Sequence, residues 1–103
     1  MVANFGLMVV RVQGQSMLPK YRAGDLVLIK KSKNPRRNQV VIAQRPDKLD
    51  LLVLKRVISV TNNGYWLQGD NSEFSDDSRI FGEVPKELIK GIVLFRYWPL
   101  FTN

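Results

Sequence analysis

The chain contains neither cysteine nor histidine among its 103 residues. The lack of cysteine excludes a disulfide framework, a thiolate zinc site and a cysteine nucleophile. The lack of histidine means that a nucleophilic serine would have no imidazole to take its proton. A lysine or a carboxylate would have to act as the base instead. These two absences confine a search for catalytic groups to serine, lysine and the acidic residues.

The sequence also lacks a long apolar run. Its N-terminal stretch Met1–Val10 is apolar, but a membrane span needs about 20 residues. The same stretch has neither the charged start nor the small-residue cleavage site of a signal peptide. We therefore expect a soluble protein without a transmembrane segment. The absence of cysteine agrees with a cytoplasmic location, although many exported bacterial proteins lack cysteine as well.

The size and charge of the chain favour one small basic domain. A hydrophobic content of 45% is ample for one core and argues against disorder. Sixteen Lys and Arg against nine Asp and Glu give a net charge of +7, which permits weak contact with a membrane surface. The densest basic segment, at residues 30–37, is interrupted by Asn34-Pro35 and contains no aromatic residue. We interpret it as a solvated loop, and we expect no specific nucleic-acid site, metal or cofactor.

The apolar pattern predicts an all-β, mainly antiparallel domain, built as a folded sheet or barrel with at most one short helix. Asn62-Asn63-Gly64 predicts a hairpin turn, and Pro85 predicts one helical turn up to Lys90. The segment 69–83 is polar and fits no strand. The predicted strands are residues 7–13, 25–31, 39–44, 50–60, 65–68 and 91–98.

Lys55 is the first candidate for a catalytic residue. Alternation along its strand predicts one shared face for Leu51, Val53, Lys55, Val57 and Ser59. A lysine is rarely buried unless it is paired or functional, and desolvation lowers its pKa toward that of a general base. The alternative is a lysine at a strand edge whose amine reaches water. Periodicity alone does not decide between the two.

Ser16 is the second candidate. It follows Gly14 at the end of a strand, with Pro19 three residues later, and a tight turn of this kind aims backbone N–H groups at one point. Such turns are common, so this one alone is weak evidence. The polar segment 69–79 directly follows the hairpin that contains Lys55, but a plain surface loop has a similar composition.

Four blocks occur in order along the chain. They are Gly14-x-Ser16-Met17-x-Pro19, Gly24-Asp25-x-Val27, Lys55-Arg56-Val57, and Gly69-Asp70-Asn71 followed by Ser75 and Asp77-Ser78-Arg79. Over nearly the whole chain they resemble the type I signal peptidase family. The resemblance implies a single soluble peptidase domain over residues 1–103 that cleaves peptide bonds with a Ser/Lys dyad in a β-rich core.

The resemblance also implies a role for each matched residue. Ser16 would be the nucleophile, and Lys55 the general base that later protonates the leaving amine. The implied supporting residues are Ser75, which would orient the lysine amine, the salt-bridged pair Asp77 and Arg79, the turn Asp70-Asn71, and Asp25 as a structural acid.

One departure from the family concerns the oxyanion hole. Many bacterial signal peptidases have a serine where this chain has Gly14, although glycine also occurs there in the mitochondrial inner-membrane branch. The hole would then depend on the Ser16 backbone N–H and a second donor, for which Gln15 is a candidate. Met17 and Leu18 are candidates for substrate contact, and core packing explains both equally well.

The short chain and its end, residues 91–99, resemble the nickel-type superoxide dismutase maturation proteases. This implies removal of an N-terminal propeptide from a nickel dismutase precursor. One alternative is the soluble catalytic core of a signal peptidase, exposed outside the cytoplasmic membrane and cleaving secretory signal peptides. LexA-like repressors also use Ser/Lys dyads, but they carry an N-terminal DNA-binding domain. A non-catalytic basic barrel that binds nucleic acid would leave Ser16, Lys55 and the 69–79 loop as coincidences.

Overall fold

Six segments rich in valine, isoleucine and leucine form strands, because such side chains suit a pleated, half-buried surface. The computed structural model describes residues 6–99. All strand pairs are antiparallel, and they form one open sheet of order β1-β2-β6-β3-β4-β5. The all-β prediction is confirmed, with the sheet open rather than closed into a barrel. The strands are β1 (Leu7–Arg11), β2 (Leu26–Lys30), β3 (Val40–Arg45), β4 (Lys48–Thr61), β5 (Gly64–Gln68) and β6 (Ile89–Trp98).

The segments between the strands contain three short helical turns. Ser72–Phe74 and Lys86–Leu88 are 3₁₀ turns, and α1 (Ser78–Phe81) is the one α-helix of residues 6–99. The helical turn predicted after Pro85 is thus present, but it ends earlier because Ile89 already pairs in β6. The strand predicted over residues 7–13 is also shorter than expected. Gly14, with a φ of 76°, turns the chain away from the line of β1.

The core lies on both faces of β3, which is buried along almost its whole length. Val40 and Ile42 belong to one cluster, which the turn after β1 covers with residues such as Met17. Val41 and Ala43 belong to a second cluster on the other face. Because a strand sends alternate side chains to opposite faces, β3 joins two separate layers of packing.

The alternation predicted around Lys55 holds only in the middle of β4. Lys55 is 4% exposed and Val57 is fully buried. Leu51 and Ser59 are exposed, so the predicted shared face is buried only around Lys55 and Val57. The pairing of β4 with β5 shifts register between Val57 and Ser59, and such an irregularity breaks the two-residue period.

The structure can be compared with two expectations from the sequence, one for the apolar N-terminal stretch and one for the basic loop. Within residues 6–99, no helix has the length and apolar character needed to cross a bilayer. The first half of the apolar stretch, residues 1–5, lies outside the described part of the chain. The basic segment forms the exposed connection between β2 and β3, as predicted, with Lys31, Lys33, Arg36 and Arg37 all exposed.

β6 packs closely against β2 at Gly91, and a substitution there can test this packing. A Cβ atom at this position would lie 2.5 Å from Ile29 Cγ2 and 2.8 Å from the Lys30 carbonyl oxygen. We expect Gly91→Ala to lower the free energy of unfolding by about 1–3 kcal/mol through overpacking, measured by urea denaturation. Leu94→Ala is the control, because Leu94 is 46% exposed in the same strand. A cost at Gly91 no larger than that at Leu94 would contradict this packing.

Candidate active site

A cleft of about 520 Å³ lies between the turn after β1 and the first half of β4. Residues 13–17 line it from the turn, and residues 50–55 line it from β4. Ser16 and Lys55 therefore face the same cavity although 39 positions separate them in the sequence. The fold brings the two predicted catalytic residues to one place.

The register of the β4–β5 hairpin sets the position of the 69–79 loop. Arg56 pairs with Gln68, so the next position of the antiparallel ladder places Gly69 across from Lys55. Gly69 lies close to both halves of the cleft. A Cβ atom there would lie 2.7 Å from the Ser16 carbonyl oxygen and would also collide with Ser75 Oγ. Only glycine lets the chain pass between these two groups.

Lys55 is held by a hydroxyl and not by a carboxylate. Its Nζ donates a hydrogen bond to Ser75 Oγ at 3.1 Å, and Ser75 Oγ donates in turn to Asp77 Oδ2 at 2.7 Å. No ion pair joins Lys55 to an acidic residue within the described range. The three side chains form a line in which Ser75 separates the amine from the negative charge.

Burial lowers the pKa of Lys55 below its ordinary value of 10.5. Asp77 and Asp76 oppose this change by attraction, whereas Arg45 and Arg79 reinforce it by repulsion. These surrounding charges are two of each sign, so desolvation determines the direction. A lysine with a lowered pKa has a larger fraction of neutral amine near neutral pH, which is the form that accepts a proton.

Asp77 anchors this arrangement. Its carboxylate is fully buried, and it accepts hydrogen bonds from the Gly69 N–H at 2.9 Å and from Arg79 Nε at 2.9 Å. Burial alone would raise the pKa of Asp77. The hydrogen bonds from Arg79, Ser75 and the Gly69 backbone outweigh this effect and hold the pKa well below its usual range. Asp77 thus remains ionised and fixes the direction of the Ser75 hydroxyl.

The turn that contains Ser16 is attached to the 69–79 loop by Asn71. The Asn71 N–H donates to the Ser16 carbonyl at 2.8 Å, and Asn71 Nδ2 donates to the Gln15 carbonyl at 3.1 Å. A trans peptide holds its C=O and N–H on opposite sides, so fixing the Gln15 carbonyl also fixes where the Ser16 N–H points. That N–H donates to no acceptor within residues 6–99, and it remains available to a ligand.

No hydrogen bond joins the side chains of Ser16 and Lys55 within residues 6–99. Ser16 itself is half-buried. Catalytic hydrogen bonds are often long before substrate binds and then shorten. Gln15 contributes its carbonyl to the contact with Asn71, and its role as an oxyanion donor stays a prediction.

Two further ion pairs support the site from outside. Arg56 forms a bidentate pair with Asp70, with both nitrogen–oxygen distances at 2.8 Å, which links the Lys55 strand to the loop. Asp25 is 2% exposed and accepts from the Arg22 N–H at 3.0 Å, with Arg96 Nη1 at 3.4 Å. Asp25 therefore has structural partners at this position.

The two candidates for substrate contact differ in position. Met17 is 1% exposed and packs in the first core cluster, with part of its surface toward the cleft. Leu18 is half-buried and does not line the cleft. Core packing therefore accounts for Met17 well, and Leu18 has no contact with the cavity to support its assignment.

Several residues of the cleft were not expected from the sequence. Arg45, Phe74 and Asp76 all line it beside Lys55. The local pair of Arg45 with Asp47 is close in sequence, but nothing in the residue pattern places Arg45 beside Lys55. Within the described range, no group of three or more acidic side chains is arranged to hold a metal ion.

Comparison with known proteins shows that the chain is similar to peptidases. A family model described as Peptidase S24-like matches residues 1–85. The chain is 32% identical to mitochondrial inner membrane protease subunit 1 of Xenopus tropicalis, over 89% of this chain and 70% of the relative. It is 39% identical to mitochondrial ATP-independent inner membrane protease subunit 1a of Arabidopsis thaliana, over 78% of this chain and 52% of the relative. A shorter match, 51% identical over 34% of the chain and 18% of the relative, is to signal peptidase IB of Staphylococcus aureus.

Asp77→Asn tests whether the Asp77 carboxylate stabilises the arrangement of Ser75 and Lys55. An amide cannot accept from all the donors that surround this position, so we expect a loss of about 3 kcal/mol in the free energy of unfolding near pH 7. Because the folded state lowers the pKa of Asp77, this stabilisation is present above the pKa of the unfolded carboxyl, about 3.9, and is lost as pH falls below it.

The pH dependence of stability distinguishes the loss of the Asp77 charge from a steric effect of the substituted side chain. Stability measured by denaturation between pH 7 and pH 2 should fall less steeply in Asp77→Asn than in the original chain. Asp76→Asn is the matched control, because the neighbouring side chain is 68% exposed and should change stability little. Equal acid sensitivity in the original chain and in Asp77→Asn would contradict the anchoring role.

Proposed function

Because the chain belongs to the Peptidase S24-like family, we propose that it is a serine endopeptidase that removes N-terminal segments from precursor proteins in the manner of a signal peptidase. Ser16 is its nucleophile and Lys55 its general base. The observation that carries the proposal is the burial of Lys55, hydrogen-bonded to Ser75, in the same cleft as Ser16.

The proposed reaction uses the neutral amine of Lys55. Its lone pair takes the proton of Ser16 Oγ, and the oxygen attacks the scissile carbonyl carbon to form a tetrahedral intermediate. The Ser16 N–H, oriented through Asn71, donates to the oxyanion. The Lys55 ammonium then protonates the leaving amine, which gives an acyl-enzyme. Water activated by the same lysine hydrolyses the ester and restores both groups.

The sheet offers a place for an extended substrate. Among the strands of residues 6–99, β1 pairs only with β2, and so it lies at an edge of the described sheet. Its last residues, Val10 and Arg11, line the cleft that contains Ser16. A peptide that adds to this edge by main-chain hydrogen bonds would lead into the cleft, a mode common in peptide recognition.

The relatives favour signal-peptide processing over the nickel dismutase hypothesis. Two of them carry the names of inner membrane proteases and one that of a signal peptidase. The hypothesis of nickel dismutase maturation depended on chain length and tail residues, and it gains no support from them. We accordingly propose a site of action at a membrane surface, in place of the cytoplasmic location expected from the sequence.

The dyad is tested by two substitutions. Ser16→Ala and Lys55→Met should each lower the cleavage rate by about a thousandfold or more, because the nucleophile and its base act as one unit. The substrates are a secretory preprotein and a nickel dismutase precursor, followed by gel electrophoresis and mass spectrometry of the new N-terminus. Cleavage of the first but not the second is the expected result for the original chain.

The matched controls are Ser72→Ala and Lys48→Ala, both at exposed positions and the latter in the same strand as Lys55. Both should cleave at the original rate. Undiminished cleavage by Ser16→Ala or by Lys55→Met would refute the dyad, and preferential cleavage of the dismutase precursor would restore the alternative.

The pH dependence of cleavage tests the state of the base. Because the pKa of Lys55 is lowered, kcat/KM should rise with pH and then level off. The midpoint of the rise should lie below the ordinary lysine value of 10.5. Lys48→Ala should leave this midpoint unchanged. A rate that falls from about pH 7 upward would exclude a lysine base.

A further inference from the structure

Arg45 is a buried cation in the cleft that the proposed reaction does not use. It ends β3, is 8% exposed, and lines the same cavity as Ser16 and Lys55. Its guanidinium lies over the ring of Phe81, 5.1 Å from the ring centroid. Stacking on an aromatic ring fixes the plane of the guanidinium, so its N–H groups point in set directions.

One edge of this guanidinium is fully occupied. Asp47 accepts from Nε at 2.9 Å and from Nη2 at 2.8 Å, which is the bidentate geometry of a strong ion pair. This pair holds the side chain in place and uses two of its five N–H donors. The donors of Nη1 are not part of it.

The other edge has a loosely held partner. Asp76 Oδ2 lies 3.6 Å from Nη1, longer than a hydrogen bond, and the Asp76 side chain is 68% exposed. Within residues 6–99, Nη1 donates no hydrogen bond. Asp76 can turn into water at little cost, because most of its side chain is already solvated. The cleft therefore contains a fixed donor, Arg45 Nη1, and a partner, Asp76, that can be displaced.

We propose that Arg45 Nη1 forms a subsite for the carboxylate of an aspartate or glutamate side chain in the substrate, which displaces Asp76. This rests on the peptidase function proposed above. The guanidinium and a carboxylate carry opposite charges, whereas an amide is neutral, so the subsite selects acid over amide. The exchange replaces one carboxylate by another, and the number of negative charges beside Lys55 stays the same.

The wider charge distribution agrees with an acidic substrate residue. Arg11 lines the same cleft, and the whole chain carries a net charge of +7. A positive surface raises the rate at which acidic segments arrive, and the fixed guanidinium then holds one carboxylate in place. Asp50 also faces the cavity, so recognition is confined to the position that reaches Nη1 and does not extend along the whole peptide.

The test measures binding without cleavage, in the Ser16→Ala background. Fluorescein-labelled decapeptides with an Ala-Xaa-Ala core carry either Asp or Asn at one position at a time, and their affinities are read by fluorescence anisotropy. At one position we expect the Asp peptide to bind about tenfold tighter than its Asn partner. Adding Arg45→Met should reduce that ratio below about twofold, because it removes the guanidinium that donates to this carboxylate.

Asp76→Asn in the same background is the second variant. It leaves Arg45 and its pair with Asp47 intact and removes only the competing carboxylate. It should raise the Asp-over-Asn ratio by about threefold or more. This variant keeps the test valid if Arg45→Met melts at a much lower temperature than its parent.

The proposal is overturned if no position in the peptide set gives a ratio above about twofold, or if the ratio survives Arg45→Met. It is also overturned if Asp76→Asn leaves the ratio unchanged or lowers it. Failure of the peptidase function itself would be seen in the cleavage assay, as no cleavage by the original chain or as cleavage retained by Ser16→Ala. The two results are therefore distinguishable.

Discussion

The site depends on an amine that is buried next to a hydroxyl instead of a carboxylate. A direct ion pair between Lys55 and Asp77 would hold the lysine in its charged form and make it useless as a base. Asp77 is instead occupied by Arg79, and its remaining contact with the lysine passes through Ser75. The negative charge orients the amine without stabilising its proton strongly. Desolvation then lowers the pKa of Lys55.

This arrangement requires the two halves of the cleft to be in register. The lysine is on a strand, and its partners follow from the hairpin that this strand begins, so one turn positions both. A slip of one residue between β4 and β5 would move Lys55 to the opposite face. The serine half comes from a distant turn, and Asn71 joins it to the loop by two hydrogen bonds. Gly69 allows the close approach that makes these contacts geometrically possible.

The sequence predicts the local features of this molecule better than its long-range ones. Alternation predicts that Lys55 and Val57 share one face of the strand, where both are buried, and Asn62-Asn63-Gly64 predicts the β4–β5 turn. The irregularity after Val57 has no signal in the residue pattern, and it exposes Ser59. The insertion of β6 between β2 and β3 is equally invisible, because pairing between distant strands is not encoded in any one segment.

For the candidate site as well, the sequence predicts single residues better than the contacts between distant segments. Residue pattern alone singled out Ser16 and Lys55, and only the family resemblance indicated that Ser75 and Asp77 belong beside them. The structure brings Ser75 and Asp77 to Lys55. Arg45 escaped both approaches, since its place in the cleft follows from how the β3–β4 turn folds back beside the 69–79 loop. Contacts of this kind span distant segments, so they become visible only in three dimensions.

Gly14 shows how the nucleophile turn constrains the proposed oxyanion hole. Its φ of 76° is a conformation that glycine adopts without strain, and a Cβ atom there would meet no other group within 4 Å. Space would therefore admit a serine, but the backbone conformation disfavours one. With no side-chain donor at this position, stabilisation of the oxyanion would rest mainly on the Ser16 N–H. Asn71 is then more than a support for the loop, because through the Gln15 carbonyl it sets the direction of that donor.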